Sequence, residues 1–298
     1  MISVFILLII EQLSRRRMRY HNPNNTNPTS KMTKLHGSKA VIAIVICFMP
    51  PLLGFIIPVA QLSEWAVMTG EKMIDAYFWK LAANSFYLAF CTSIFVIITA
   101  TLLAFGKRTS KSRWVKLLID FCSVGYAVPG IVIAVGTLII FTKVDNLIIN
   151  SFSLVFGVEL GLIFTGTIAA LVFAHAVRFL SLGLQTVGSS LTKINESVDE
   201  VSRLLGSNIF NTLLNIHLPL IRSGILTAAL LVFVEVMKEL PATLIMRPFN
   251  FNTLSVRAYE LATDERLADA STAALAIVLT GIIPVILLNI SIKSYAGR

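Results

Sequence analysis

The chain has 298 residues, of which 56% are hydrophobic and 14% are charged, and its mean hydropathy is +0.80. A soluble domain of this length needs more charged residues to cover its surface, so the composition excludes an ordinary soluble protein. The net charge of +9 does not indicate nucleic-acid binding, because Lys and Arg lie in short segments between apolar blocks, without the interleaved aromatic residues that grip single strands. The sequence predicts an all-α fold, a polytopic transmembrane helical bundle in the lipid bilayer.

Residues 1–39 are predicted to form a partial helix followed by a cytoplasmic linker. Met1–Ile10 is apolar, but ten helical residues cover roughly 15 Å, which is too little to cross a bilayer. The arginines at positions 15–19 follow this apolar run, whereas a signal peptide carries its positive charges before it. Residues 20–38 are rich in Asn, Pro, Ser and Thr, and they predict a flexible linker.

Six further apolar blocks of about 20 residues predict six spanning helices in one transmembrane domain, residues 40–298. The predicted spans are Ala40–Ala60, Phe78–Phe105, Leu117–Phe141, Gly157–Val177, Leu220–Val236 and Ala270–Ile292. Their Pro and Gly residues are compatible with membrane helices, because neighbouring helices can satisfy the freed backbone groups. Cys47, Cys91 and Cys122 lie in or beside apolar blocks without metal-ligand spacing, and we predict that they are small buried residues.

The basic residues predict the orientation of these spans. Most of the 25 Lys and Arg residues lie in segments 11–39, 106–116 and 178–222 and in the C-terminal tail. Cytoplasmic loops of membrane proteins carry an excess of Lys and Arg, so both termini are predicted to be cytoplasmic. Six spans agree with that orientation, because an even number returns the chain to the side on which it began.

Residues 196–219, between the fourth and fifth predicted spans, form the most informative segment. Their apolar residues recur at helical spacing on both sides of Gly206. Gly206 suits a tight turn between two helices because it lacks a Cβ atom. Pro219 suits the first turn of a helix, where its missing N–H costs nothing, so we predict that it begins the next span.

This segment resembles the cytoplasmic "EAA" loop of binding-protein-dependent ABC importer permeases, which reside in the bacterial inner membrane. The residues that match the motif, with its spacing intact, are Glu200, Gly206, Ile216, Leu218 and Pro219. Val201 and Ser202 stand where the motif has two alanines. The resemblance implies that the loop couples the chain to a cytoplasmic ATP-binding subunit, with Glu200 making a polar contact and Gly206 shaping the turn. An ordinary amphipathic connector on the membrane surface is the alternative.

The same resemblance implies the partners and the mechanism. A periplasmic substrate-binding protein would deliver the cargo, and ATP binding would drive alternating access through two packings of the helices. The sequence contains no GxxxxGK[ST] phosphate loop, so we expect the ATPase to be a separate chain. We predict no catalytic residues, no cofactor and no metal-ligating set.

A second resemblance concerns the cargo. Residues 231–271 and the closing TGIIPVILLN are similar to the second half of ferric-iron importer permeases, whose two halves share one chain. It implies iron transport, and it implies that a second permease half or a homodimer completes the path. Thiamine, polyamine and aminophosphonate permeases share the EAA loop and remain alternatives. A channel or an intramembrane enzyme is the alternative from another class. A channel, however, would not need a docking loop of the observed spacing, and we find no catalytic arrangement within the spans for an intramembrane enzyme.

Charged residues near the outer end of the fifth predicted span suggest a substrate path. The spacing of Glu235, Lys238 and Glu239 places Glu235 beside both other residues on a helix. Such charges are costly in a membrane unless they pair or face water, so they either line the path or form a structural pair. Direct ligation of a ferric ion by the two carboxylates is a weaker hypothesis.

Two other groups of charges have simpler interpretations. The outward segment 244–269 would face the binding protein or form a solvated loop, and its charged residues are Arg247, Arg257, Glu260, Asp264, Glu265 and Arg266. His175 and Arg178 are predicted to lie at the inner end of the fourth span, with their side chains extending toward the membrane surface.

Overall fold

The structure is a computed structural model that describes residues 34–156 and 161–296. All regular structure within these ranges is helical, which confirms the predicted all-α fold. The predicted partial helix and most of the linker, residues 1–33, lie outside the described residues, as does the beginning of the predicted fourth span. Residue contacts divide the chain into two compact units, residues 1–61 and 62–298.

Helix α1, Ser38–Met73, contains the first predicted span and is longer than expected. Pro50 and Pro51 lie inside it, and a π-helical segment, Leu52–Ile56, follows directly. Each proline lacks the N–H that would bond to the preceding turn, and a local change of helical register accommodates that loss without ending the helix. Large apolar side chains of its first part are exposed, which suits a helix in contact with lipid.

The described part of the second unit contains nine further helices. They are α2 Ala76–Thr109, α3 Arg113–Cys122, α4 Gly130–Phe156, α5 Ile168–Leu191, α6 Glu196–Leu204, α7 Ile209–Met237, α8 Pro241–Met246, α9 Leu254–Thr263 and α10 Leu267–Ala296. Among the described residues, five helices are long and apolar enough to cross a membrane, namely α1, α2, α4, α5 and α7. In α10 the apolar stretch Leu267–Ile282 is shorter than these five helices, so the sixth span stays a prediction.

The predicted third span, Leu117–Phe141, is wrong because the chain breaks inside it. Helix α3 ends at Cys122, a 3₁₀ turn covers Gly125–Ala127, and α4 begins at Gly130. Val128 is extended (φ −84°, ψ 132°) because Pro129 disfavours the helical region for the residue before it. The span therefore begins after the proline.

The predicted fourth span, Gly157–Val177, is also wrong in its boundaries. Helix α5 begins after Thr167, whose hydroxyl accepts a hydrogen bond from the N–H of Ala170. Gly166 has φ +78°, a left-handed conformation that no helix continues through. The helix consequently runs to Leu191, so that residues predicted to lie at its inner end lie near its middle.

Helices α2, α5 and α7 pack together and form the core of the second unit. Small residues allow close approach, as at Gly183, where an added Cβ would lie 3.1 Å from the Cβ of Ala100. The hydroxyl of Ser93 donates to the carbonyl of Ala229 over 2.8 Å and joins α2 to α7. Helix α9 packs against α10 and α2, and α8 packs against α4 and α5.

Candidate functional site: the 196–219 loop and the charged residues of the spans

The 196–219 loop is a helix–turn–helix, as the sequence predicts. Asn195 caps α6 by accepting from the N–H of Ser197. The helix ends where Gly206 takes φ +77°, and the N–H of Ser207 bonds back to the carbonyl of Ser202 over 3.0 Å. A Cβ at Gly206 would meet nothing within 4 Å, so the backbone conformation rather than space favours glycine.

Pro219 is near the start of an α-helical segment, Leu218–Met237, but the chain is already helical before it. The preceding five residues, Leu213–His217, are π-helical, and α7 is continuous from Ile209. The spanning helix therefore begins at Ile209 and not, as the sequence predicted, at Pro219. This π-helical segment lies where the missing N–H and the ring of Pro219 would otherwise disturb an α-helix.

The five residues that match the motif have different environments. Glu200, Gly206 and Pro219 are exposed, whereas Ile216 and Leu218 are half-buried. The turn at Gly206 brings the end of α6 close to the start of α7. Ile216 then contributes to a shallow open groove of about 250 Å³, whose other lining residues are Ser197, Val198, Val201, Ser202 and Leu205.

An exposed apolar patch covers the turn. Its members, with their exposed fractions, are Val201 53%, Leu204 86%, Leu205 81%, Ile209 67% and Phe210 61%. Single exposed apolar residues are ordinary on proteins, but a contiguous group rimmed by polar residues marks an interaction surface. We call these five residues the apolar patch.

The departure from the two alanines of the motif has a structural explanation. Val201 belongs to the apolar patch, whereas Ser202 is buried, with 2% of its surface exposed. The hydroxyls of Ser202 and Thr212 are 2.7 Å apart, and Thr212 also donates to the carbonyl of Asn208 over 2.9 Å. Ser202 thus fixes α6 against the start of α7.

Asp199 is a buried carboxylate with two partners. Its Oδ2 accepts from Nε of Arg108 over 2.7 Å, and its Oδ1 lies 2.6 Å from Nε2 of the fully buried His217. Burial raises the pKa of the Asp199 carboxyl, but the hydrogen bonds and charges of Arg108 and His217 outweigh that effect and lower the pKa below its usual value. Asp199 therefore stays ionised at neutral pH.

Arg108, in the last turn of α2, also binds backbone carbonyls. Its Nη1 donates to Leu191 over 2.5 Å, and its Nη2 donates to Ile194 over 3.0 Å and to Asn195 over 3.1 Å. These carbonyls lie at and just after the end of α5 and before α6, so a cation there also complements the α5 helix dipole. One guanidinium consequently joins α2, α5 and the 196–219 loop.

The charged residues around the end of α7 only partly follow the prediction. Lys238 pairs with Glu235 over 2.7 Å, as predicted. Helix α7 ends at Met237, however, so the predicted helical relation between Glu235 and Glu239 does not hold. The hydroxyl of Tyr126, in the 3₁₀ turn, instead donates to Glu235 over 3.4 Å. Within the described ranges, no group of three or more His, Cys, Asp or Glu residues could hold a metal ion.

Glu239 is buried and belongs to an ion pair that the sequence did not indicate. Its Oε1 accepts from Nη1 of Arg178 over 2.9 Å and from the N–H of Ala242 over 3.3 Å. A Cβ at Gly130 would lie 1.9 Å from that guanidinium nitrogen and 2.7 Å from the carboxylate oxygen. Gly130 is therefore the residue that lets α4 approach the pair.

The prediction that His175 and Arg178 extend to the membrane surface is wrong. Helix α5 places both residues near its middle, and Arg178 pairs with Glu239 there. His175 is fully buried, with its Nε2 3.2 Å from the hydroxyl of Thr243. The error follows from the wrong boundaries of the fourth span.

The segment that the sequence predicts to face outward, residues 244–269, is partly organised by its own charges. Arg247 contacts Asn252 and pairs with Glu260 over 3.2 Å, and Arg257 lies over the ring of Tyr77 at 5.9 Å. Arg266 pairs with Asp269 over 2.7 Å. Asp264 and Glu265 are exposed.

Sequence reasoning did not identify Asp199, Arg108 and Arg178 as important. Asp199 precedes Glu200, and successive helical residues point in different directions, so one acid is buried and its neighbour is exposed. The available signal was the i, i+3 relation of Asp199 to Ser202, because both polar residues lie on the side of α6 that packs inward.

Comparisons with known proteins agree with this fold. The family model described as binding-protein-dependent transport system inner membrane component matches residues 96–297. An Fe(3+)-transport system permease protein of Haemophilus influenzae is 27% identical over 254 residues, which cover 83% of this chain and 46% of that protein. A protein described as a 2-aminoethylphosphonate transport system permease of Salmonella typhimurium is 25% identical over 270 residues, 87% of this chain and 92% of that protein. The chain thus spans about half the length of the former relative and most of the latter.

Solved structures show the same fold at low sequence identity. A bacterial alginate ABC transporter, in complex with an alginate-bound periplasmic protein, has a chain that is similar with a TM-score of 0.65 and 13% identity, covering 84% of this chain and 91% of that one. The MetNI methionine ABC transporter gives a TM-score of 0.51 at 14% identity, over 73% and 93% of the two chains. Because the family model matches most of the length of this chain, the chain belongs to the binding-protein-dependent transport system inner membrane components.

Proposed function

We propose that the chain is the permease subunit of an ATP-driven importer, and that the 196–219 loop docks on a cytoplasmic ATP-binding subunit. The observation that carries the proposal is the apolar patch, held on a fixed helix–turn–helix at the loop that matches the EAA motif. Desolvation of such a patch favours association, and Glu200 on the same loop is exposed and free to add a polar contact. The other partners are a periplasmic binding protein and a second permease subunit, either another half or a second copy.

We propose ferric iron as the cargo, on the resemblance of residues 231–271 and the relative that is 27% identical. Direct ligation within the span gains no support from the described residues. Glu235, Lys238 and Glu239 are therefore proposed as lining or gating residues of the path. In this proposal Lys238, with 54% of its side chain exposed, is the most accessible of the three.

An aminophosphonate is the second candidate cargo, and two observations favour it. The aminophosphonate relative is matched over 92% of its length. In addition, the guanidinium of Arg178 lies inside the bundle with 20% of its side chain exposed, and guanidinium groups bind phosphonate-like oxygens well.

Uptake into membrane vesicles distinguishes these cargoes. Vesicles containing the chain, its ATP-binding subunit, the binding protein and any second permease subunit would receive ⁵⁵Fe³⁺ or radiolabelled 2-aminoethylphosphonate, each with the other in excess. Iron uptake that excess phosphonate does not reduce supports the first cargo. Phosphonate uptake without iron uptake would refute it and leave the permease assignment intact.

A further inference from the structure

Asp199 lies at the junction between the 196–219 loop and the spanning helices. Its side chain is 11% exposed, and its partner Arg108 is 13% exposed. Arg108 belongs to α2 and also binds the carbonyl of Leu191 at the end of α5. The pair therefore fastens the loop to two of the three helices that form the core.

The loop itself is fixed internally. Asp199 and His217 connect α6 to α7 over 2.6 Å, and the hydroxyls of Ser202 and Thr212 connect the same helices over 2.7 Å. A force applied to the apolar patch consequently moves the loop as one body. Arg108 connects that body to α2.

Helix α2 also holds the outward segment in its third turn, toward its other end. Asn84 donates from Nδ2 to the carbonyl of Asn252 over 3.0 Å, and the hydroxyl of Ser85 accepts from the N–H of Leu254 over 2.8 Å. Arg108 and Ser85 are separated by about 35 Å along the helix at 1.5 Å per residue. The helix is continuous between them.

We propose that Asp199 and Arg108 are positioning residues that transmit movement of the 196–219 loop through α2 to the outward segment 247–263. The inference rests on the proposed function in one respect, since it requires an ATP-binding subunit to dock on the apolar patch. A continuous helix that is bonded at both ends provides the physical connection that coupling between distant sites requires. Nucleotide binding at one face then changes the contacts of the segment proposed to meet the binding protein.

The chain offers a matched control one residue away. Lys107 contacts Asp120 of α3, and their side chains are 43% and 32% exposed. Exposed ion pairs contribute little to stability. This pair joins α2 to α3 and not to the 196–219 loop. Asp120→Asn removes one negative charge, as Asp199→Asn does. Asp120 pairs with Lys107, the neighbour of Arg108 at the same end of α2.

The test is amide hydrogen exchange on the full chain with its ATP-binding subunit in nanodiscs, with and without the ATP analogue AMP-PNP. Wild type and Asp120→Asn should show a nucleotide-dependent change of exchange in residues 247–263. Asp199→Asn and Arg108→Gln should retain the change in residues 196–217 but reduce the distal change roughly tenfold, within the range of measured coupling between sites. His217→Gln, which leaves the Asp199–Arg108 pair in place, should retain the distal change.

Two results would overturn the inference. One is a wild-type complex that binds AMP-PNP without any change in residues 247–263. The other is an unreduced distal change in Asp199→Asn. If that variant does not fold, the Asn84→Ala, Ser85→Ala double variant is measured instead, because it breaks the distal contacts and leaves the loop intact. An unreduced distal change in the double variant would overturn the inference. A wild-type chain that binds no ATP-binding subunit would instead refute the proposed function.

Discussion

Truncation of Leu204 should weaken the complex with the ATP-binding subunit without destabilising the chain. Leu204 is 86% exposed, so the folded chain gains little from it. Full burial of a leucine side chain contributes about 1.5–3 kcal/mol. Leu204→Ala removes most of this contribution at an interface, so we expect a loss of about 1.5–2.5 kcal/mol, or about 10- to 70-fold in Kd.

The assay is a titration of the purified ATP-binding subunit against the chain in nanodiscs, with thermal unfolding measured in parallel. Leu267→Ala is the matched control, because Leu267 is an exposed leucine of the segment predicted to face outward. It should leave Kd unchanged. Equal Kd values for Leu204→Ala and Leu267→Ala would refute the docking role of the apolar patch.

Three other predictions concern stability. Gly206→Ala should cost about 1 kcal/mol in unfolding free energy, because φ is +77° while the space around the Cβ is open; an unchanged denaturant midpoint would contradict this. Gly130→Ala should destabilise the chain by about 3 kcal/mol or more in the same measurement, because its Cβ would displace the pair of Arg178 with Glu239. Gly136→Ala is the control and should not destabilise the chain, because an added Cβ there would meet no atom within 4 Å. Because its folded pKa is lowered, Asp199 stabilises the chain fully above its ordinary pKa and loses that contribution as the pH falls through the folded value. The stability advantage of wild type over Asp199→Asn should therefore shrink as the pH falls below about 4, the ordinary pKa of an aspartate, and an advantage that does not shrink there would contradict the reasoning.

Local signals in the sequence predicted several features correctly. Long apolar runs identified the class of fold, because hydrocarbon thickness fixes the length of a spanning helix. Gly206 identified the turn, and the i, i+3 spacing of Glu235 and Lys238 identified their ion pair. Each of these features depends on residues that are near one another in sequence.

Features that depend on distant residues were not predictable in the same way. Arg108 and Asp199 are 91 residues apart, and Arg178 and Glu239 are 61 residues apart. Apolar content also could not place the boundary of α4, because most residues on both sides of Pro129 are apolar, and the backbone restriction at Val128 decides where the helix begins. That error moved the next predicted span and led to the wrong interpretation of Arg178.

We propose that this chain conducts cargo when an ATP-binding subunit acts on its 196–219 loop. The most direct measurement is uptake of ⁵⁵Fe³⁺ and of labelled 2-aminoethylphosphonate into proteoliposomes containing the chain, the ATP-binding subunit, the binding protein and any second permease subunit. The account predicts uptake of one of them that requires ATP and falls sharply in a Glu200→Lys, Gly206→Arg variant that still assembles. Uptake that proceeds equally without ATP, or that is unchanged in this variant, would contradict the account.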